Sequence, residues 1–130
     1  MDAPCNSGKT ILLVDDEPQV RRMLKVCLES AGFGVIEAEG GLKALEIVEQ
    51  MGSGAVDLLV TDIEMPDMDG ITLAERCKRR VPDLPVVAIS AFTGKALAAV
   101  GSWVDAFIQK PFAPRVLLET VAKVLRKSSS

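Results

Sequence analysis

The sequence has no histidine, and that absence excludes more chemistry than any other feature of its composition. Ser-His-Asp and Cys-His nucleophilic catalysis, histidine-ligated zinc, and a phosphohistidine carried by this chain are all ruled out. Cysteine is scarce too. Cys5, Cys27 and Cys77 are an odd number without metal-ligand spacing, which fits a reducing cytosol rather than a disulfide scaffold. Long apolar runs are missing: stretches such as Ile11–Val14 and Val86–Ile89 fall far short of the roughly 20 residues of a membrane span. Met1–Thr10 lacks a basic region followed by a long apolar one, so no secretory signal is expected and the expected location is cytoplasmic. A net charge of -3 and a pI near 5.0 provide no basic face for nucleic acid, so neither nucleic acid nor membrane is expected as a partner.

What remains for chemistry is carboxylates, lysine and hydroxyls. The 130 residues suit one domain, and a hydrophobic content of 48% with mean hydropathy +0.27 is enough to fill its core without disulfides or a structural metal. Ser7-Gly8-Lys9-Thr10 looks like the end of a phosphate-binding P-loop. Position 3, where the first glycine belongs, is Ala, and the tetrapeptide precedes a strand instead of following one, so that reading fails.

The chain is organised around Val56–Gly70, V-D-L-L-V-T-D-I-E-M-P-D-M-D-G. Leu58-Leu59-Val60 is a short apolar run of the type that forms a strand buried on both faces. Asp62 ends that run, and Pro66, the acids around it and Gly70 require a turn. Around this stretch the pattern alternates. Strands are expected at Thr10–Val14, Val35–Ile36, Val86–Ser90 and Ala106–Ile108. Helices are expected after Pro18, over Leu42–Met51, Ile71–Arg80 and Arg115–Lys127, with a short one at most over Lys95–Val100. In the first helix Val20, Met23, Leu24, Cys27, Leu28 and Ala31 share one face by their spacing, and Gly32 closes it. Lys78, Arg79 and Arg80 complement the C-terminal dipole of the third helix, and Pro82 blocks its continuation. Residues 1–9 and 128–130 are expected to be tails around a domain spanning 10–127.

Strands alternating with helices call for an α/β fold, a doubly wound five-stranded parallel sheet of flavodoxin-like strand order 2-1-3-4-5. All strand exits then share one edge, where ligands of such sheets gather. Asp15 and Asp16 come from the first strand, Asp62 from the third, Ser90 from the fourth and Lys110 from the fifth. In isolation each has an ordinary explanation: Asp15-Asp16-Glu17 caps a helix, Asp62 and Ser90 start turns, and Lys110 is solvated. Together, three carboxylates resist ionising unless a cation joins them, and Mg2+ suits oxygen ligands and phosphate. Lys110 offers a point charge for phosphate oxygens and Ser90 a hydroxyl donor, so the set matches the needs of phosphoryl transfer to an Asp62 nucleophile. The product would be an aspartyl phosphate. Pro111 is a candidate for a cis peptide bond.

The segments I-L-L-V-D-D-E, L-V-T-D-I-E-M-P-D-M-D-G, V-V-A-I-S-A and I-Q-K-P-F, in that order, resemble the receiver domain of two-component response regulators over residues 10–127. The resemblance implies that Asp62 is the phosphoacceptor, Asp16 a direct metal ligand and Asp15 a ligand through water. It also implies that Glu64 contributes its backbone carbonyl to the Mg2+ site. Ser90 becomes the switch hydroxyl, Lys110 the phosphate-binding lysine and Phe107 the aromatic switch residue. The implied donor is a phosphohistidine on a sensor histidine kinase or a histidine phosphotransfer protein. The implied output is a downstream effector reading the surface of the fourth helix, fifth strand and fifth helix. Such a domain is not an enzyme in its own right, and the sequence suits a stand-alone regulator or a piece of a longer protein.

The sequence departs from the family in one region. Ser90 and Lys110 are closer together than the family pattern by about half a helical turn. Trp103 sits where a helix-ending glycine is often found, and the glycine here is Gly101. A short or irregular fourth helix is therefore expected, with Trp103 as a packing residue. Two other readings compete: a receiver-like docking module that takes no phosphate, and a haloacid dehalogenase-type phosphatase. The phosphatase motif, D-x-D-x-[TV], needs a second Asp two residues past the nucleophile as general acid, with Thr or Val two further on. Here Asp62 is followed by Ile63-Glu64-Met65, which does not fit it.

Overall fold

The computed structural model describes residues 8–52, 54–91 and 103–129. Five parallel strands, β1 (Thr10–Val14), β2 (Gly34–Ala38), β3 (Leu58–Asp62), β4 (Val86–Ser90) and β5 (Ala106–Gln109), form one sheet in the order β2-β1-β3-β4-β5. Helices α1 (Pro18–Ser30), α2 (Gly41–Met51), α3 (Gly70–Arg80) and a C-terminal helix (Pro114–Ser129) complete the described elements. The short helix expected over Lys95–Val100, most of the N-terminal tail and Cys5 lie outside the described residues.

The sheet is doubly wound because its strands carry apolar side chains on both faces. Successive side chains of a strand point to opposite sides. Ile11 and Leu13 of β1, with Leu58 and Val60 of β3, join a core with Leu24 and Leu28 of α1 and Leu117, Val121 and Val124 of the C-terminal helix. Leu12 and Val14, with Leu59, join the other core with Ala44 and Val48 of α2 and Leu73, Ala74 and Cys77 of α3. Burial of each such Leu or Ile contributes about 1.5–3 kcal/mol. The central strands β3 and β4 are buried at every position. Cys77 is one of these core residues, and burial pushes its thiol up to about 12, so it packs rather than reacts.

The leading ends of the strands are closed by carboxylates that play no part at the opposite edge. Asp57 accepts from the Thr10 N–H at 2.8 Å, and Asp105 accepts from the Val86 N–H at 2.7 Å while pairing with Lys78 at 2.9 Å. Such charge-assisted bonds satisfy strand N–H groups that have no ladder partner.

Several expectations need correction. Met23 does not share the buried face of α1: it is 61% exposed, while Leu24 and Leu28 are buried and Val20, Cys27 and Ala31 lie at the core margin. The apolar stripe is wider than the strip that the sheet and C-terminal helix cover, so its outer edge faces solvent. β2 extends to Ala38 because its register continues to Val14. Ser128 and Ser129 continue the last helix rather than forming a tail, since no glycine or proline stops it. Gly32, in the left-handed region at φ +98°, ends α1 as expected.

Candidate functional site

Parallel strands deliver their exits to one rim, and the ladder registers align them. Val14 pairs with Thr61, Asp62 with Ile89 and Ser90 with Gln109. Asp15 and Asp62 are therefore level at the exits of β1 and β3, with Ser90 one residue and Lys110 two residues further along on the neighbouring strands. Carboxylate oxygens of Asp15, Asp16 and Asp62 lie within 4.8 Å of one another, with Asp16 exposed and the other two buried. Lys110 Nζ donates to Asp62 Oδ2 at 3.3 Å. The Lys110 N–H donates to the Ser90 carbonyl at 2.8 Å, tying the exits of β4 and β5 together, and the Lys110–Pro111 bond is cis.

The electrostatics follow from burial. Asp62 is 3% exposed, and loss of water raises its carboxyl from 3.8 to about 6. The Lys110 ammonium opposes that rise, while Asp15 and Glu64 add to it. Asp15 is raised for the same leading reason, offset by the Glu17 N–H, which donates to its Oδ1 at 2.9 Å. Asp15 therefore bonds within the loop before α1 and does not cap it: Glu17 stands at the N-cap and makes no side-chain cap bond, which corrects the capping reading of Asp15-Asp16-Glu17. Asp62 Oδ1 is buried without a hydrogen-bond partner among the described residues. An orphaned carboxylate oxygen beside two further acids fits a hard divalent cation, which would supply the missing partner.

The loop between β3 and α3 is held from both sides. Asp69 caps α3 by accepting from the Thr72 N–H at 2.9 Å. Asp67 reaches the N-terminus of α2, accepting from Leu42 N–H at 3.0 Å and Gly41 N–H at 3.3 Å, and these bonds hold its carboxyl below the usual range. Gly70 packs directly on the backbone of Asp62 and Ile63, where a Cβ would collide with the Asp62 carbonyl oxygen. A side chain at Gly41 would likewise meet Met68, with the Cβ atoms 2.8 Å apart.

Sequence reasoning missed three participants. Arg21, one turn into α1, donates to the Asp15 carbonyl at 2.7 Å and pairs with Glu37 of β2 at 3.1 Å, bracing the acidic loop. Asp67 was read only as a turn former, because its partners lie 25 residues earlier in the chain. The Glu64 side chain also enters the site: Ser90 Oγ donates to its Oε2 at 2.7 Å, and the Ala91 N–H lies 3.5 Å from its Oε1. A basic residue one turn after an acidic loop was the only sequence signal for the first, and none existed for the others. Phe107 is half-buried on β5 opposite Ala88, and Trp103 packs at the margin of the second core with the Arg79 guanidinium 5.8 Å from its ring centroid.

Residues 11–122 match the response regulator receiver domain family, and the chain belongs to that family. It is 35% identical to a chemotaxis protein CheY homolog of Campylobacter jejuni, over 92% of this chain and 94% of that protein. It is 38% identical to the phosphate regulon transcriptional regulatory protein PhoB of Pseudomonas aeruginosa and 40% identical to the sensor kinase CckA of Brucella abortus. The chain spans only 53% and 13% of those two longer proteins. Among solved structures, the response regulator TrrA of Thermotoga maritima, in complex with Mg(2+)-BeF, matches with TM-score 0.80 at 32% identity, covering 89% of this chain and 98% of that one. The chain is thus a receiver domain of two-component signalling.

Proposed function

We propose that this receiver accepts a phosphoryl group on Asp62 in the presence of Mg2+. The observation that carries the reading is the convergence of the Asp15, Asp16 and Asp62 carboxylates, with the Asp62 Oδ1 unpartnered and Lys110 against Oδ2. Asp16 and Asp62 side chains and the Glu64 carbonyl would hold the cation directly, with Asp15 acting through water. When bound, Mg2+ neutralises the acid cluster and draws the incoming phosphoryl oxygens to it. An Asp62 oxygen attacks phosphorus, the phosphorus–nitrogen bond of a phosphohistidine breaks, and its electron pair returns to the imidazole. Lys110 and Ser90 bind oxygens of the transferred group.

The donor is a sensor histidine kinase or a histidine phosphotransfer protein. An apolar groove of about 350 Å³, lined by Val20, Met23, Leu24, Cys27 and Phe112, adjoins the site through Glu17 and Lys110. It suits the apolar face of a helix that carries the phosphohistidine. The output is a change at the surface of β5 and the C-terminal helix, read by an effector protein or domain. Phe107 turns inward as Ser90 moves toward the phosphoryl group. This activity is that of a phosphorylated signalling domain rather than an enzyme. A cytoplasmic location goes with the reading and with the free thiols of Cys27 and Cys77.

Incubation with a phosphohistidine donor or a small acyl phosphate and Mg2+ should label Asp62, and Asp62→Asn should abolish the label. Full incorporation in that variant would put the acceptor elsewhere. A Phe107 side chain in one rotamer with and without a phosphoryl mimic would refute the switch.

A further inference from the structure

The Glu64 side chain has no role in the reaction just described, yet it holds part of the machinery. Its Oε2 accepts from the Ser90 hydroxyl at 2.7 Å, and its Oε1 lies 3.5 Å from the Ala91 N–H. Ser90 ends β4 and Ala91 follows it, one and two residues past Ile89, the ladder partner of Asp62, so both donors lie at the rim beside the Asp62 carboxylate. A carboxylate and a phosphoryl group compete for the same kind of donor, and charge-assisted bonds of this type are the strong ones.

We propose that the Glu64 carboxylate is a built-in competitor for the phosphoryl group, holding Ser90 in the unphosphorylated chain and leaving when Asp62 is modified. The inference rests on the proposed phosphoacceptor role and deepens it. Two costs would oppose phosphorylation: loss of the Ser90–Glu64 bond, and repulsion between Glu64 and the incoming anion. The resting surface would therefore be kept in place by Glu64, and departure of Glu64 would couple phosphorylation to movement of Ser90.

The test is fluoroberyllate titration at saturating Mg2+ on the wild-type chain, Glu64→Ala and Glu64→Asp, with the affinity for Mg2+ alone measured in parallel. Glu64→Asp keeps the charge but shortens the side chain by about 1.5 Å, one carbon–carbon bond, and so withdraws it from Ser90. Glu64→Asp should bind fluoroberyllate about tenfold more tightly, the worth of one lost competing charged bond, and Glu64→Ala, which also loses the repelling charge, more tightly still, with no gain in affinity for Mg2+ alone in either. Unchanged affinity in Glu64→Ala would overturn the inference, as would a Glu64→Asp chain that behaves as wild type. A wild-type chain that neither binds fluoroberyllate nor labels at Asp62 would instead remove the phosphoacceptor reading, and this inference with it.

Discussion

Asp62→Asn should make the metal-free protein more stable at neutral pH while destroying its proposed chemistry. The wild-type carboxyl is raised from 3.8 to about 6, chiefly by burial, and that figure already includes the attraction of Lys110. At about 1.4 kcal/mol per pH unit, holding this group ionised in the folded chain costs about 3 kcal/mol at pH 7.5. An asparagine amide left partly unpaired in the same place returns about 1 kcal/mol of that. The net gain is about 2 kcal/mol, or about 5–10 °C in Tm for a domain of this size.

The pH dependence follows from the sign of the shift. A carboxyl whose folded pKa is raised binds its proton more readily when folded, so the penalty that Asp62 places on wild-type stability is relieved as pH falls from 7 through 6 toward 4. Asp15, raised for the same leading cause, acts in the same direction. The difference between Asp62→Asn and wild type should therefore shrink as pH approaches 4. Urea denaturation of both proteins in EDTA, at pH 7.5 and at pH 5, measures this directly. Mg2+ should raise wild-type stability at pH 7.5 and leave the variant almost unmoved, because the cation relieves the charge that asparagine lacks. A variant no more stable than wild type at pH 7.5, or a difference that widens toward pH 5, would refute the reasoning.

Three further outcomes are expected. Lys110→Ala should still bind Mg2+ by calorimetry but slow acyl-phosphate labelling of Asp62 by about 10²-fold, the scale for removing one donor to a developing anion. Gly70→Ala should cost about 2–3 kcal/mol in urea denaturation, since its Cβ meets the Asp62 carbonyl and the Ile63 Cα, which are backbone atoms with little freedom to yield. Met23→Arg places a charge on the exposed rim of the α1 groove. It should slow transfer from a phosphohistidine protein about tenfold, the scale of one disrupted interface anchor, while labelling by a small acyl phosphate stays at the wild-type rate.

Much of the fold was legible along the chain. Apolar runs ending in Asp15, Asp62 and Ser90 mark buried parallel strands because both faces of each must be apolar. Once the strands are parallel, their exits share one edge by geometry alone. Placement of the acids and Lys110 at one rim therefore needed only strand assignments and the strand order. The place of Asp62 at that rim was legible for the same reason.

Sequence by itself determined the strands, the two-sided core and the set of residues at the rim, because each depends on local periodicity and strand direction. Tertiary structure alone decided which side chains meet across that rim. Arg21 reaching the Asp15 carbonyl, Asp67 closing α2 and Glu64 holding Ser90 join residues from different elements. The same holds for Met23: its spacing places it on the apolar stripe of α1, but only the width of the neighbouring sheet and helix determines that it stays uncovered. Such contacts are set by packing distances between elements, which no periodicity along one of them encodes.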